Sequence, residues 1–167
     1  MKTLYLVRHA KSSWKDISLD DFDRPLNKRG KRDAPFMGKR LKKQGIKPNL
    51  IIASSAKRAK KTAKIFAEEM GYPEGKIKFA KKIYEAGSTE LFEIIKNQDN
   101  QVKSLMLVGH NPELTSLSNY LSDYEILNIP TSGISCIKLP IENWKELKAK
   151  IGEYSFFDYP KRHLVSS

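Results

Sequence analysis

Arg8-His9, Arg58 and His110 are the residues whose types and placement suggest chemistry. Each follows a short apolar run. Leu4-Tyr5-Leu6-Val7 leads into Arg8-His9, Leu50-Ile51-Ile52-Ala53 into Ser54-Ser55-Ala56-Lys57-Arg58, and Leu105-Met106-Leu107-Val108 into Gly109-His110-Asn111. Two guanidiniums and two imidazoles suit the gripping of a phosphoryl group. A guanidinium fork matches pairs of phosphoryl oxygens, and an imidazole can act as nucleophile or donor. Continuous apolar runs separated by helix-like segments are the pattern of strands buried on both faces of a parallel sheet. Ligands of such sheets bind at the carboxyl ends of the strands, where residues distant in sequence meet. The pattern predicts a phosphoryl-handling site on one rim.

The intervening segments supply the elements that must position these groups. Lys11 to Arg24 is polar and without period, with Trp14 and Phe22 as isolated apolar anchors, and reads as a loop near the site. Asn27 can cap a helix running to about Lys43, with Ala34, Met37 and Leu41 facing the core; Pro35 inside it predicts a kink or a late start. Ser55 is the expected cap of the next helix, in which Ala59, Ala63, Phe66 and Met70 make the apolar stripe and Gly71 the stop. Arg58 then lies in a first turn, where free N–H groups and the helix dipole already favour an anion. A short edge strand near 77–79 and a helix from about Thr89 to Lys96, capped by Ser88, follow. After the strand at 104–108, Asn111 can cap and Pro112 begin a helix whose apolar face is Leu114, Leu117 and Leu121. A strand at 134–139 and an edge strand within 148–156 complete the set. The expectation is an α/β single domain over residues 1–159, a three-layer sandwich with helices on both faces of a mostly parallel sheet. Residues 160–167 read as a mobile tail, with His163 inert.

Composition sets the outer limits. The 167 residues, 40% hydrophobic, suffice for one domain with a full core and no staples. Cys136 is the single cysteine, so no intramolecular disulfide can form; within an apolar run it reads as a core thiol. The apolar stretch before Arg8 is too short for a signal sequence, and no run approaches a membrane span. A cytoplasmic protein without a membrane partner is expected. Lys plus Arg exceeds Asp plus Glu by 31 − 19 = 12, a balance that draws anionic partners without naming one.

The segments Leu-Val-Arg-His-Ala-Lys-Ser-Ser-Trp at 6–14, Asp-Phe-Asp-Arg-Pro-Leu-Asn-Lys-Arg-Gly at 21–30, Ser-Ser-Ala-Lys-Arg-Ala at 54–59, Val-Gly-His-Asn-Pro at 108–112 and Thr-Ser-Gly-Ile at 131–134 resemble the histidine phosphatase superfamily, whose fold is phosphoglycerate mutase-like. Within it they look like the small SixA-type phosphohistidine phosphatases, collinearly from residue 3 to about 139. The superfamily's usual Arg-His-Gly reads Arg-His-Ala here, which requires an unstrained backbone at Ala10. The resemblance implies that His9 is the nucleophile, that Arg8 and Arg58 bind the transferring phosphoryl group, and that His110 completes the clamp, with no metal and no cofactor. Neutral His9 would be favoured by the like charges of Arg8 and Arg58. Superfamily members acting on phosphate esters often carry an acid after the third strand, and Glu85 lies in that region as a candidate general acid. Its plainer reading is a solvated loop carboxylate.

Arg24 either pairs with Asp21 or Asp23 or reaches the pocket mouth to bind substrate. Lys57, Lys60, Lys61 and Lys64 form one helical stripe, ordinarily a solvated face. A phosphate-bearing substrate, in particular a phosphohistidine protein, is the leading partner. The alternatives are a small-molecule phosphomonoesterase on the same scaffold and a basic nucleic-acid-binding protein. The last would need aromatics among the lysines to stack bases, and the stripe has none.

Overall fold

The computed structural model describes residues 1–163. Its centre is a six-stranded sheet built from β1 (Lys2–Arg8), β2 (Leu50–Ser54), β3 (Lys78–Ala80), β4 (Ser104–Gly109), β5 (Ile134–Leu139) and β6 (Glu153–Asp158). The order is β3-β2-β4-β1-β5-β6. The pairs β3/β2, β2/β4 and β4/β1 are parallel, and β1/β5 and β5/β6 antiparallel. Only β5 therefore runs against the rest, as a mostly parallel sheet requires.

The apolar runs are continuous because both faces are covered. Leu4 and Leu6 of β1 and Leu105 and Leu107 of β4 enter one apolar cluster, whereas Tyr5, Val7, Met106 and Val108 enter the other. The second cluster packs under α1 (Lys28–Lys43) and α2 (Lys57–Met70). The first packs under α3 (Lys81–Glu85), α4 (Ser88–Lys96) and α5 (Glu113–Leu121). Cys136 is buried in the core. No helix among the described residues is long and apolar enough to cross a membrane.

Helix boundaries follow local chemistry, with some departures from expectation. Asn27 caps α1 by accepting from the Gly30 N–H at 2.8 Å. The helix runs unbroken through Pro35; the carbonyl of Lys31, four residues back, loses its donor but sits on an exposed residue where water can serve. Gly45 and Gly71 take positive φ after α1 and α2 and let the chain fold back on the last turn. Ser55 does not cap α2. The cap position is Ala56, whose N–H is taken instead by Ser54 Oγ at 3.1 Å. Ser88 is the first residue of α4, after Gly87, and the five-residue α3 was not expected. Pro112 precedes α5, and Asn111 Oδ1 accepts from the Thr115 N–H.

The tail is not loose from Pro160. Residues 160–162 form a 3-10 turn with Pro160 buried, and His163 pairs with Asp158, which also holds Arg40 of α1. The remainder of the expected mobile segment, 164–167, lies outside the described residues.

Candidate active site

Register brings the site together. Arg8 at the end of β1 stands beside Gly109 at the end of β4, and Val108 lies between Val7 and Ala53 of β2. His9, His110 and Ser54 consequently leave the sheet at one rim. Arg58, at the second helical position of α2, turns its guanidinium onto the same rim. Arg8, His9, Arg58 and His110 line a cleft of about 450 Å³.

His9 is 7% exposed and held at both ring nitrogens. Nδ1 lies 2.7 Å from the Ala10 carbonyl, which can only accept, so Nδ1 carries the proton. Nε2 keeps its lone pair and receives Arg58 Nε–H at 3.3 Å. Burial, above all, pushes the His9 pKa down to about 3; His110, Arg58 and Arg8 add to the shift, against the Ala10 hydrogen bond. Ala10 has no positive φ, and its N–H is fixed by Thr62 Oγ1 at 2.9 Å, so alanine fits there without strain.

His110 Nδ1 faces Arg58 Nη2 at 3.4 Å and its Nε2 shares a 2.7 Å hydrogen bond with Ser54 Oγ. Burial first, then Arg58, lowers its pKa to about 4. Arg8 donates from Nη1 to the Ile129 carbonyl at 3.1 Å. Its Nε is buried and finds no acceptor; Ser132 Oγ is the one other such atom among the described residues. Buried donors are nearly always satisfied. Arg8 also lines the cationic cleft, where its guanidinium suits an oxyanion.

Arg24 takes Asp21, not Asp23, as its partner and also reaches the cleft. It pairs with Asp21 through Nε and Nη2, donates from Nη1 to Ser12 Oγ at 2.7 Å, and lines the cleft. Glu85 is exposed at the end of α3 and does not line the cleft, whereas its neighbour Tyr84 does. Trp14 is no buried anchor: it stands exposed at the cleft, stacked on Arg24.

Tyr84 and Glu113 lie outside the residues singled out from sequence, and Asp21, expected only as a partner for Arg24, holds more than that. Asp21 accepts from Arg24, from Arg58 Nη2 at 2.9 Å and from Tyr84 Oη at 2.7 Å, and its carbonyl accepts from Arg58 Nη1 at 2.6 Å. Partial burial alone would raise its pKa, but these donors win and keep it well below the usual carboxylate range. Glu113, at the start of α5, also lines the cleft, and burial raises its pKa. The signal for Asp21 was its place three residues before Arg24; Glu113 gave none. Among the described residues no group of three or more His, Cys, Asp or Glu side chains is placed to hold a metal ion.

The arrangement can bind a tetrahedral anion between Arg8, Arg58 and His110 and offer it one imidazole lone pair. Residues 4–90 match the family model of the histidine phosphatase superfamily, branch 1. An uncharacterised chloroplastic protein of Arabidopsis thaliana is 31% identical over 159 residues, covering 90% of this chain and 72% of that one. The structure of SixA from Agrobacterium tumefaciens, assigned as a phosphohistidine phosphatase, superposes with a TM-score of 0.82 at 26% identity over 95% of this chain and 98% of the other. A protein histidine phosphatase SixA complexed with tungstate shares the fold, with a TM-score of 0.77 at 19% identity over 96% and 98%. The chain belongs to the histidine phosphatase superfamily, in its SixA-type branch, and is a phosphatase.

Proposed function

We propose that the protein hydrolyses phosphohistidine on a protein substrate, without a metal ion, through a phosphohistidine intermediate at His9 Nε2. The observation that carries this reading is the state of His9: neutral, proton on Nδ1, lone pair on Nε2, beside two guanidiniums. In the first step the Nε2 lone pair forms a bond to phosphorus. The P–N bond to the substrate breaks and its electron pair returns to the substrate imidazole, which departs as a neutral ring, its proton supplied from solvent. Water then attacks the phosphorus on His9. The P–Nε2 pair goes back to the ring, inorganic phosphate leaves, and the proton of water passes to phosphate or solvent. Arg8, Arg58 and His110 bind the oxygens on which charge is spread in each transition state.

Leaving-group basicity supports the nitrogen substrate. Imidazole is the conjugate base of an acid of pKa about 6.5, against roughly 16 for water-like hydroxyls, so its departure needs little proton donation. Asp21 is held ionised and cannot donate. The similarity to the Agrobacterium SixA protein points the same way.

One observation favours a second reading. Glu113 lines the cleft with a raised pKa and could protonate an alkoxide, which would make the protein a phosphomonoesterase. Turnover of a phosphohistidine protein and a panel of phosphate esters, each in chelator, separates the two. The proposal expects efficient, chelator-insensitive hydrolysis of phosphohistidine that survives Glu113→Gln. Efficient ester turnover abolished by Glu113→Gln, with phosphohistidine untouched, would replace it.

A further inference from the structure

Trp14 is the largest apolar side chain the fold leaves in water beside reacting groups. It is 69% exposed and lines the same cleft as His9. An indole in that position gives up a large gain from burial, so the site must hold it there by other means. The means is Arg24. Its guanidinium carbon lies over the Trp14 ring, 3.4 Å from the centroid. Arg24 is itself 7% exposed and clamped by Asp21 and Ser12, and Asp21 in turn holds Arg58. The ring is thus tied to the phosphoryl clamp through Arg24, Asp21 and Arg58, and most of its surface stays in water.

We propose that Trp14 is the leaving-group subsite, a platform on which a planar heteroaromatic ring, the imidazole of phosphohistidine, stacks while its phosphoryl group sits between Arg8 and Arg58. The inference rests on the reading of the protein as a phosphohistidine phosphatase and adds how it selects a ring. A rigid ring face with a guanidinium behind it contributes by stacking, which is indifferent to leaving-group basicity and requires flatness. An alkyl leaving group or ammonia gains nothing from it.

Two P–N substrates that differ in the ring isolate the effect: a phosphohistidine peptide and phosphoramidate, whose leaving group is ammonia. KM and kcat are measured for wild type, Trp14→Ala and Trp14→Phe, with tungstate inhibition as a check on the clamp. The expected result is that Trp14→Ala shifts the ratio of the two KM values by about 10-fold against phosphohistidine. Trp14→Phe should restore most of the ratio, and tungstate inhibition should stay near wild type. Equal losses on both substrates with weakened tungstate inhibition would show that Trp14 only supports Arg24, and an unchanged ratio would show that no ring stacks there; either overturns the subsite. Wild type that hydrolyses phosphate esters but not phosphohistidine would overturn the substrate reading, and the subsite with it.

Discussion

At the scale of residues, the fold keeps one imidazole neutral in a crowd of cations. Burial and nearby positive groups take His9 from its ordinary value of 6.5 down to about 3 and His110 to about 4. Neither ring should protonate as pH falls from 7.5 to 5. Histidine side-chain NMR over that range is expected to show two non-titrating rings, and a midpoint near 6.5 for His9 would contradict the buried, Nδ1-protonated state. Arg58 donates from Nε to His9, from Nη1 to the Asp21 carbonyl, and from Nη2 to Asp21 and toward His110. Lysine keeps the charge but loses the fork. Arg58→Lys should therefore lower kcat/KM by roughly 10²- to 10³-fold, the range seen when one transition-state donor is lost. Arg8, His9, Arg58 and His110 were legible because each ends an apolar run or begins a helix. Tyr84 and Glu113 were not, and Asp21 was legible only as a partner for Arg24, not as the anchor of Arg58 and Tyr84. Which residue of the five-residue α3 faces the cleft depends on how one short turn packs, and that placed Tyr84 inward and Glu85 outward.

At the scale of elements, the loop carrying Ser12, Trp14, Asp21 and Arg24 must be pinned close to the rim. The start of α1 does this. Asn27 N–H donates to the Lys11 carbonyl at 3.0 Å, and a Cβ on Gly30 would lie 2.2 Å from that same oxygen. Gly30→Ala forces the loop and helix apart, with an expected cost of about 1–3 kcal/mol in chemical denaturation and a fall in kcat/KM larger than stability alone explains. Asn27→Ala removes only the cap and should cost about 1 kcal/mol. A Gly30→Ala protein with unaltered stability would contradict the close approach. Strands β1, β4 and β5 and helix α1 were readable because double-sided burial and an Asn cap leave plain patterns. The cap of α2 was misassigned to Ser55, because Ser54 and Ser55 are equivalent on paper. Only the strand register shows that Ser54 is the one whose hydroxyl meets the Ala56 N–H and His110.

At the scale of the whole molecule, two couplings follow from the fold. The first is with pH. The unfolded chain takes up protons on His9 and His110 near pH 6.5 that the folded chain refuses until about 3 and 4, so their effect on stability is constant above 6.5 and becomes a loss as pH falls below it. Asp158 acts in the same direction: burial would raise its pKa, but His163 and Arg40 hold it down, so its contribution is present above the unfolded carboxylate range and fades as pH drops through its folded value. The unfolding free energy from urea titration should fall between pH 7 and pH 5, by up to about 4 kcal/mol for the two histidines together; a higher stability at pH 5 would contradict the assignment. The second is with charge. The excess of 12 positive charges includes Lys31, Lys57, Lys60, Lys61 and Lys64 around a groove bounded by Pro25 and Leu26, next in sequence to Arg24 of the cleft. KM for an acidic phosphoprotein should rise with salt more steeply than KM for phosphoramidate. The alternation of strands and helices, and their stacking into three layers, could be read from periodicity alone. The packed turn at 160–162 could not, because Pro160 is buried by tertiary packing beside a β6 end that the distant Arg40 meets at Asp158. The central claim, a phosphoryl group passing through His9, is tested most directly by quenching the protein during turnover of labelled phosphohistidine protein and locating the label by mass spectrometry under basic conditions. One acid-labile, base-stable phosphoryl group is expected on His9 and none in His9→Ala; sustained turnover with label on another residue, or by His9→Ala at the wild-type rate, would rule out transfer through His9.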